Sequence, residues 1–295
     1  MDVVESLLAL QRRLAEHERL VCGSEPKVLA APGPRVEFSL AADGVDVTFW
    51  GEAYDDDPLA PADPTDEDSN YPFLAFLEWL ARPAAAACVR SLRFTGPDEG
   101  ANGLRAWQFA RLVAAPVTFP RLHTFAVELT DPAAHNTSVV AGPTDEFCED
   151  GTLGALLAKM PQLRVLQAPS APTAAFFAGP LHPLTHLQLQ SGLTHADFIT
   201  NLAASDRFEA LTTLDYAELC LADAADLDEA ELAERYTAVT DFRRLLSSSA
   251  GRRLTRLVLR GTRLTAAEVH ELGRARPDLQ LLYVPPTMAR YVSPQ

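Results

Sequence analysis

Carboxylates and histidines are the residues of this chain whose types and spacing could do chemistry. Asp66-Glu67-Asp68-Ser69-Asn70 matches the first three ligand positions of a calcium loop. The sixth position needs glycine and holds Tyr71; the twelfth needs glutamate and holds Leu77. The match fails where the geometry is strictest, so no calcium site is expected. His182 and His186 are four residues apart, but Pro183 between them argues against one helix face and so against a zinc pair. Trp50, Tyr54, Tyr71 and Trp79 flank carboxylates, the setting that an enzyme or small-molecule site in the N-terminal region would use. Nucleophile-elbow, zinc-protease, phosphate-loop and dinucleotide motifs are absent. No catalytic residue, metal ligand or cofactor is therefore assigned.

The formal charge of −15 is unevenly placed. One acidic cluster runs through Glu52, Asp55–Asp57, Asp63 and Asp66–Asp68. A second runs from Asp215 and Glu218 to Glu231 and Glu234. A nucleic-acid ligand needs a basic face for its phosphates and is not expected. Solvated surface is the plain reading of both clusters; long-range attraction of a basic partner is the functional one.

At 295 residues the chain can bury a core without staples. Cys22, Cys88, Cys148 and Cys220 form no CxxC pair and read as buried thiols in a reducing compartment. Met1–Glu5 lacks the basic start and apolar stretch of a signal peptide, and no apolar run approaches membrane length. The expectation is a cytoplasmic protein. Arginine far outnumbers lysine (Lys27 and Lys159) and alanine is frequent, which hints at a GC-rich bacterial genome.

The elements that would position any binding residue are announced by a repeat. From Val89 onward the pattern LxxLx(apolar) returns as Val89-Leu92-Phe94, Leu122-Phe125-Val127, Leu163-Leu166-Ala168 and Leu184-Leu187-Leu189. It continues as Leu211-Leu214-Tyr216, Leu254-Leu257-Leu259 and Leu279-Leu282-Val284. At 47% hydrophobic residues a single match arises by chance about one time in ten, but seven are hard to dismiss. Pro120, Pro161 and Pro277 stand two residues before a first repeat position, where proline stops a helix and feeds an extended segment.

Helix-like stretches lie between the strands. Leu104, Trp107, Phe109 and Leu112 line one; Leu153, Leu156 and Leu157 line another. Phe198, Ile199 and Leu202 line a third, and Phe242, Leu245 and Leu246 a fourth. Thr265 with Glu268 predicts a capping box that starts a helix buried through Val269 and Leu272. Segments 131–150 and 218–240 read as inserted loops.

On these residues the chain resembles the leucine-rich-repeat family, in its strand-plus-helix, ribonuclease-inhibitor-like form and of a bacterial intracellular type. The resemblance covers roughly residues 85–285. It departs from the family in two respects. The asparagine or cysteine that usually follows each strand is missing, and repeat spacing runs from 21 to 43 residues. The resemblance implies an α/β solenoid of about seven parallel strands with helices on the convex side. Each layer would cover its neighbour's apolar face.

Residues 1–84 are expected to cap this solenoid, which would occupy 85–295. Val3, Leu7, Leu10, Leu14 and Val21 predict an amphipathic helix. Val36–Leu40 and Val45–Phe49 predict a hairpin turning near Asp43-Gly44. Pro72 opens a helix with Phe73, Phe76, Leu77 and Leu80 on one face.

With leucines inward, the intervening residues face the open concave side. That face would show Ala126, Val258 and Leu281 besides the candidate contact residues. The candidates are Arg93, Glu128, Gln167, His186, Gln188, Gln190, Asp215, Arg256, Arg260 and Tyr283. Arginine and tyrosine are enriched at binding hot spots. The functional expectation is a non-catalytic protein-binding module, an adaptor, inhibitor or immunity-type protein for a basic partner. The alternatives are an N-terminal enzyme or small-molecule site, or a structural subunit of a larger assembly.

Overall fold

A computed structural model describes residues 2–22, 33–51, 59, 61–63, 70–97, 104–131, 134–142, 148–218 and 228–285. The chain is mixed α/β. Its strands are β1 (Val36–Ala41), β2 (Gly44–Trp50), β3 (Val89–Thr95), β4 (Leu104–Gln108), β5 (Thr124–Val127) and β6 (Thr137–Ala141). They continue with β7 (Val165–Ala168), β8 (His186–Gln190), β9 (Thr213–Ala217), β10 (Arg256–Arg260) and β11 (Gln280–Val284). The helices are α1 (Val3–Cys22), α2 (Tyr71–Leu80), α3 (Pro83–Ala86), α4 (Ala110–Ala114) and α5 (Thr152–Ala158). After them come α6 (Phe198–Ala204), α7 (Glu229–Arg235), α8 (Val239–Ser247), α9 (Ser249–Arg253) and α10 (Ala266–Ala275).

Nine strands form one sheet in the order β1-β2-β3-β5-β7-β8-β9-β10-β11. The β1–β2 pair is antiparallel and every other neighbour in this sheet is parallel. The sequence expectation of about seven parallel strands is thus one short among the described residues. The second hairpin strand, β2, pairs in parallel with β3 and makes the eighth. The sheet therefore continues across residues 84 and 85, and so does the core, which runs unbroken from Leu7 to Leu279.

Two ladders of apolar side chains explain the order. One runs Val47, Leu92, Phe125, Leu166, Leu187, Leu214, Leu257, Leu281. The next pairs Phe49 with Phe94, Phe94 with Val127, Ala168 with Leu189, Leu189 with Tyr216, Tyr216 with Leu259 and Leu259 with Tyr283. Side chains alternate along a strand, so both ladders point to one face. Leu187, Leu214 and Leu257 are at most 1% exposed and share that interior with Phe198, Leu202, Phe242 and Leu245 from the helices. Burying one such leucine contributes about 1.5–3 kcal/mol.

The N-terminal end is packed with rings. Phe49 stacks on Phe76 at 5.0 Å, and Phe94 meets Phe109 edge-on at 5.0 Å. His17, the gap in the apolar stripe of α1, is buried against Tyr71 at 4.4 Å. The predicted hairpin and the helix opening at Pro72 are found as β1, β2 and α2. The capping box at α10 is complete: Thr265 N–H donates to Glu268 Oε2 at 2.8 Å, and Glu268 N–H donates to Thr265 Oγ1 at 3.3 Å.

Four expectations need correction, one of them the inserted loop read over 218–240, within which Glu229–Arg235 is helix α7. Leu104–Gln108 is a strand, and only Ala110–Ala114 of the expected helix is helical. Within 131–150, read as an inserted loop, Thr137–Ala141 is β6, which pairs in parallel with β4 as a separate two-stranded sheet. β6 is buried at all five positions, with Val140 in the main core and Val139 and Ala141 in a small second cluster, so it carries no alternation to reveal it. In β11 the inward positions are Leu281 and Tyr283, one residue from the expected Leu282 and Val284.

The slip has a local cause. In the regular layers one carbonyl accepts two successive N–H groups. Thr185 O accepts from Thr212 (3.0 Å) and Thr213 (3.1 Å), and Thr212 O accepts from Thr255 (2.9 Å) and Arg256 (3.1 Å). Before β11, Leu279 N–H donates to Arg276 O at 3.1 Å, as Leu254 N–H does to Gly251 O at 3.2 Å, but Thr255 O then accepts from Gln280 (2.9 Å) without a second N–H from the next residue. One residue, not two, then separates the buried leucine of the approach from the first inward residue of the strand.

Candidate partner-binding face

The face opposite the leucine ladders is built by the residues between them. One row along it reads Asp46, Ser91, Thr124, Val165, His186, Thr213, Arg256, Gln280. The neighbouring row reads Glu37, Thr48, Arg93, Ala126, Gln167, Gln188, then Asp215, Val258, Leu282. At about 4.8 Å per strand, Arg93 on β3 and Arg256 on β10 stand on the order of 24 Å apart.

Eight of the ten expected contact residues lie within strands on this face: Arg93, Gln167, His186, Gln188, Gln190, Asp215, Arg256 and Arg260. Glu128 directly follows β5. Tyr283 does not belong to the face. It packs against the core, and its hydroxyl donates to the carbonyls of Thr262 (3.1 Å) and Leu264 (3.0 Å). Leu281 also turns inward, and Leu282, 42% exposed, takes its place outside. Ala126 and Val258 sit on the open face but are buried by their surroundings.

Several candidates are already engaged. Asp215 holds Arg260 through two parallel hydrogen bonds of 2.8 and 2.9 Å, and this carboxylate holds the guanidinium still more firmly protonated. Gln190 pairs with the backbone of Thr130, accepting from its N–H at 2.7 Å and donating to its carbonyl at 2.8 Å. Gln167 Nε2 donates to Val127 O at 3.0 Å. Glu128 accepts from Thr95 Oγ1 (2.6 Å), Gly96 N–H (3.0 Å) and Arg105 Nη1 (3.2 Å). These four fix the upper edge of the sheet. Arg256 donates to Gln280 at 3.2 Å, and His186 Nδ1 lies 2.9 Å from Thr185 Oγ1. Arg93 is exposed, and it and Gln188 keep their polar ends uncommitted.

Sequence reasoning missed the contribution of β2. Assigning the hairpin to a cap hid that Asp46 and Thr48 extend the two open rows. The signal was present: Val45-Asp46-Val47-Thr48-Phe49 alternates in the same phase as the repeats. Arg105 was missed as well, because β4 was read as helix.

Two recesses adjoin this face. One of about 280 Å³ lies beside Glu128, Arg105, Asn136 and Ser138. A smaller one of about 90 Å³ is lined by Glu37, Thr48, Trp50 and Thr95. Of the four N-terminal aromatics, Tyr71 and Trp79 are core residues, Trp50 lines the small recess, and Tyr54 lies outside the described residues. The calcium-like run lies outside them too, apart from Asn70, as does the first acidic cluster apart from Asp63, whereas of the second cluster only Asp223 and Asp226 do. His182 is buried with Nε2 3.0 Å from Met160 O, while His186 is exposed on the open face. Among the described residues no group of three histidines, cysteines or carboxylates could hold a metal ion, and no helix is long and apolar enough to cross a membrane. No protein-family model and no curated protein matches the chain.

Proposed function

We propose that this chain is a leucine-rich-repeat solenoid that binds a protein partner across its open sheet face, without catalysing a reaction. The observation that carries the reading is the shared register. Seven strand pairings in succession send apolar side chains to the helices and mostly polar ones to the other side, where Ala126, Val165, Val258 and Leu282 are the apolar members. Such a stack offers an extended groove with rigid backbone behind every contact.

Arg93, Gln188, His186 and Arg256 are the contact residues under this reading. Gln167, Gln190, Glu128 and the Asp215–Arg260 pair shape the surface. The described part of the face carries both signs of charge, so the −15 of the whole chain acts at long range. It accelerates the approach of a basic partner and repels nucleic acid. Cys88 is half-buried and Cys148 exposed, so these two are not the buried thiols the sequence led us to expect; a reducing, cytoplasmic setting remains part of this reading.

The test is affinity capture from the native host with wild-type bait, then binding kinetics with the purified partner. Arg93→Glu with Gln188→Arg should weaken binding at least tenfold, while Arg243→Glu on helix α8 leaves it unchanged. The association rate should fall as salt rises. A partner whose affinity ignores the first pair of changes and responds to the second would refute the assignment of the face.

A further inference from the structure

Two glutamates are buried among the described residues, and their surroundings differ. Glu149 accepts hydrogen bonds from three backbone N–H groups, those of Gly151 (3.0 Å), Thr173 (3.1 Å) and Leu153. Glu218, 4% exposed at the carboxyl end of β9, accepts from one, the N–H of Thr237 at 2.6 Å. Its second oxygen, Oε2, is buried without a hydrogen-bond partner. A fully buried carboxylate held by Thr237 alone, through its N–H and the pull of its side chain, is costly, whereas the neutral acid at the same place costs much less.

The contact joins two layers. Thr237 lies in the connector between α7 and α8, and its hydroxyl is also 3.3 Å from Tyr216 Oη on β9. On the other side, Glu218 N–H donates to Arg260 O at 2.8 Å. Gly261, at φ +66°, comes so close that a Cβ there would lie 2.4 Å from Glu218 O. The carboxyl thus sits at a joint between β9, the turn after β10 and the α7–α8 connector.

We propose that Glu218 is a proton-operated latch, fastening the Tyr236–Thr237 connector to the end of β9 while neutral and loosening it when ionised. The charged and titratable groups around the joint have other commitments. Arg260 on β10 is held by Asp215, Arg263 after β10 lies over the ring of Tyr236 at 5.4 Å, and the Tyr216 hydroxyl meets Thr237. Arg235 at the end of α7 is the exception: its Nη1 is buried without a hydrogen-bond partner, and it forms no ion pair with Glu218 among the described residues. Burial raises the Glu218 carboxyl from its ordinary value of 4.5 to about 7, against the weaker opposing pull of Thr237.

The sign follows from linkage. The folded value lies above the unfolded one, so the native chain holds the extra proton across the window between them. Stability is greatest below that window and falls as pH rises through it.

Carbon-13 NMR of the full chain reads the Glu218 carboxyl and the Thr237 amide during a pH titration, beside melting curves of wild type and Glu218→Gln. Both resonances should move with one midpoint near neutrality, and wild type should lose melting temperature relative to the variant as pH rises from 4.5 to about 7. A Glu218 midpoint in the ordinary carboxylate range, a Thr237 amide that ignores it, or parallel melting profiles would overturn the latch. If Glu218→Gln fails to fold, the titration of the native chain decides alone.

Discussion

Strands β8 to β10 and the edge strand β11 carry similar leucine-rich text and obey different phases. In the central layers Leu187, Leu214 and Leu257 lie side by side in the interior, and His186, Gln188, Thr213, Asp215 and Arg256 alternate outward. In β11 the text Leu279-Gln280-Leu281-Leu282-Tyr283-Val284 has apolar residues in both phases, so pattern alone cannot choose. Hydrogen bonding chooses: the approach to β11 is one residue shorter, and Leu281 pairs with Leu257. Leu282 is left outside, with a neighbouring strand on one side alone. The comparison teaches that a repeat's leucines mark its layer, while the number of residues entering the strand decides which way they point.

Three substitutions would sharpen or break this contrast. Leu257→Ala empties the middle of the ladder and should cost about 2–5 kcal/mol in urea unfolding. Tyr283→Phe removes a hydroxyl that serves two carbonyls in the last layer and should cost about 1 kcal/mol, which a solvated tyrosine would not. Leu282→Ala should cost less than about 0.5 kcal/mol. If Leu282→Ala proves more damaging than Tyr283→Phe, the assigned phase of β11 is wrong.

Much of the fold was legible because one layer repeats another. The alternation of β1 and β2, the Thr265–Glu268 capping box and the stripes of α5, α6 and α8 each followed from local chemistry. What escaped had a physical reason. Thr137–Ala141 is buried throughout and shows no period of two. Leu104, Trp107, Phe109 and Leu112 imitate a helical stripe, but Leu104 and Trp107 stand in β4, Phe109 in the corner and Leu112 in α4. Asp228 and Glu231 form a second capping box, at α7, inside a segment read as loop.

The candidate face was legible in its rows and less so in its chemistry. Alternation placed Arg93, Gln167, Gln188, Asp215 and Arg256 correctly on one side. Nothing in the local sequence tells that Gln190 is spent on the backbone of Thr130, 60 residues away, or that Asp215 and Arg260 satisfy each other. Such pairings arise only when layers meet. Glu218 belongs to the same class: it lies in an acidic run that reads as solvated surface, and burial appears only once Thr237 closes over it.

The claim beneath all of this is that successive repeats share one interior. A double-mutant cycle on Leu214→Ala and Leu257→Ala, followed by urea unfolding, tests it most directly, since these side chains are register partners on β9 and β10. The account predicts a coupling of at least about 0.5 kcal/mol between the two changes. Strict additivity, within about 0.3 kcal/mol, would mean that the two leucines do not touch a common core.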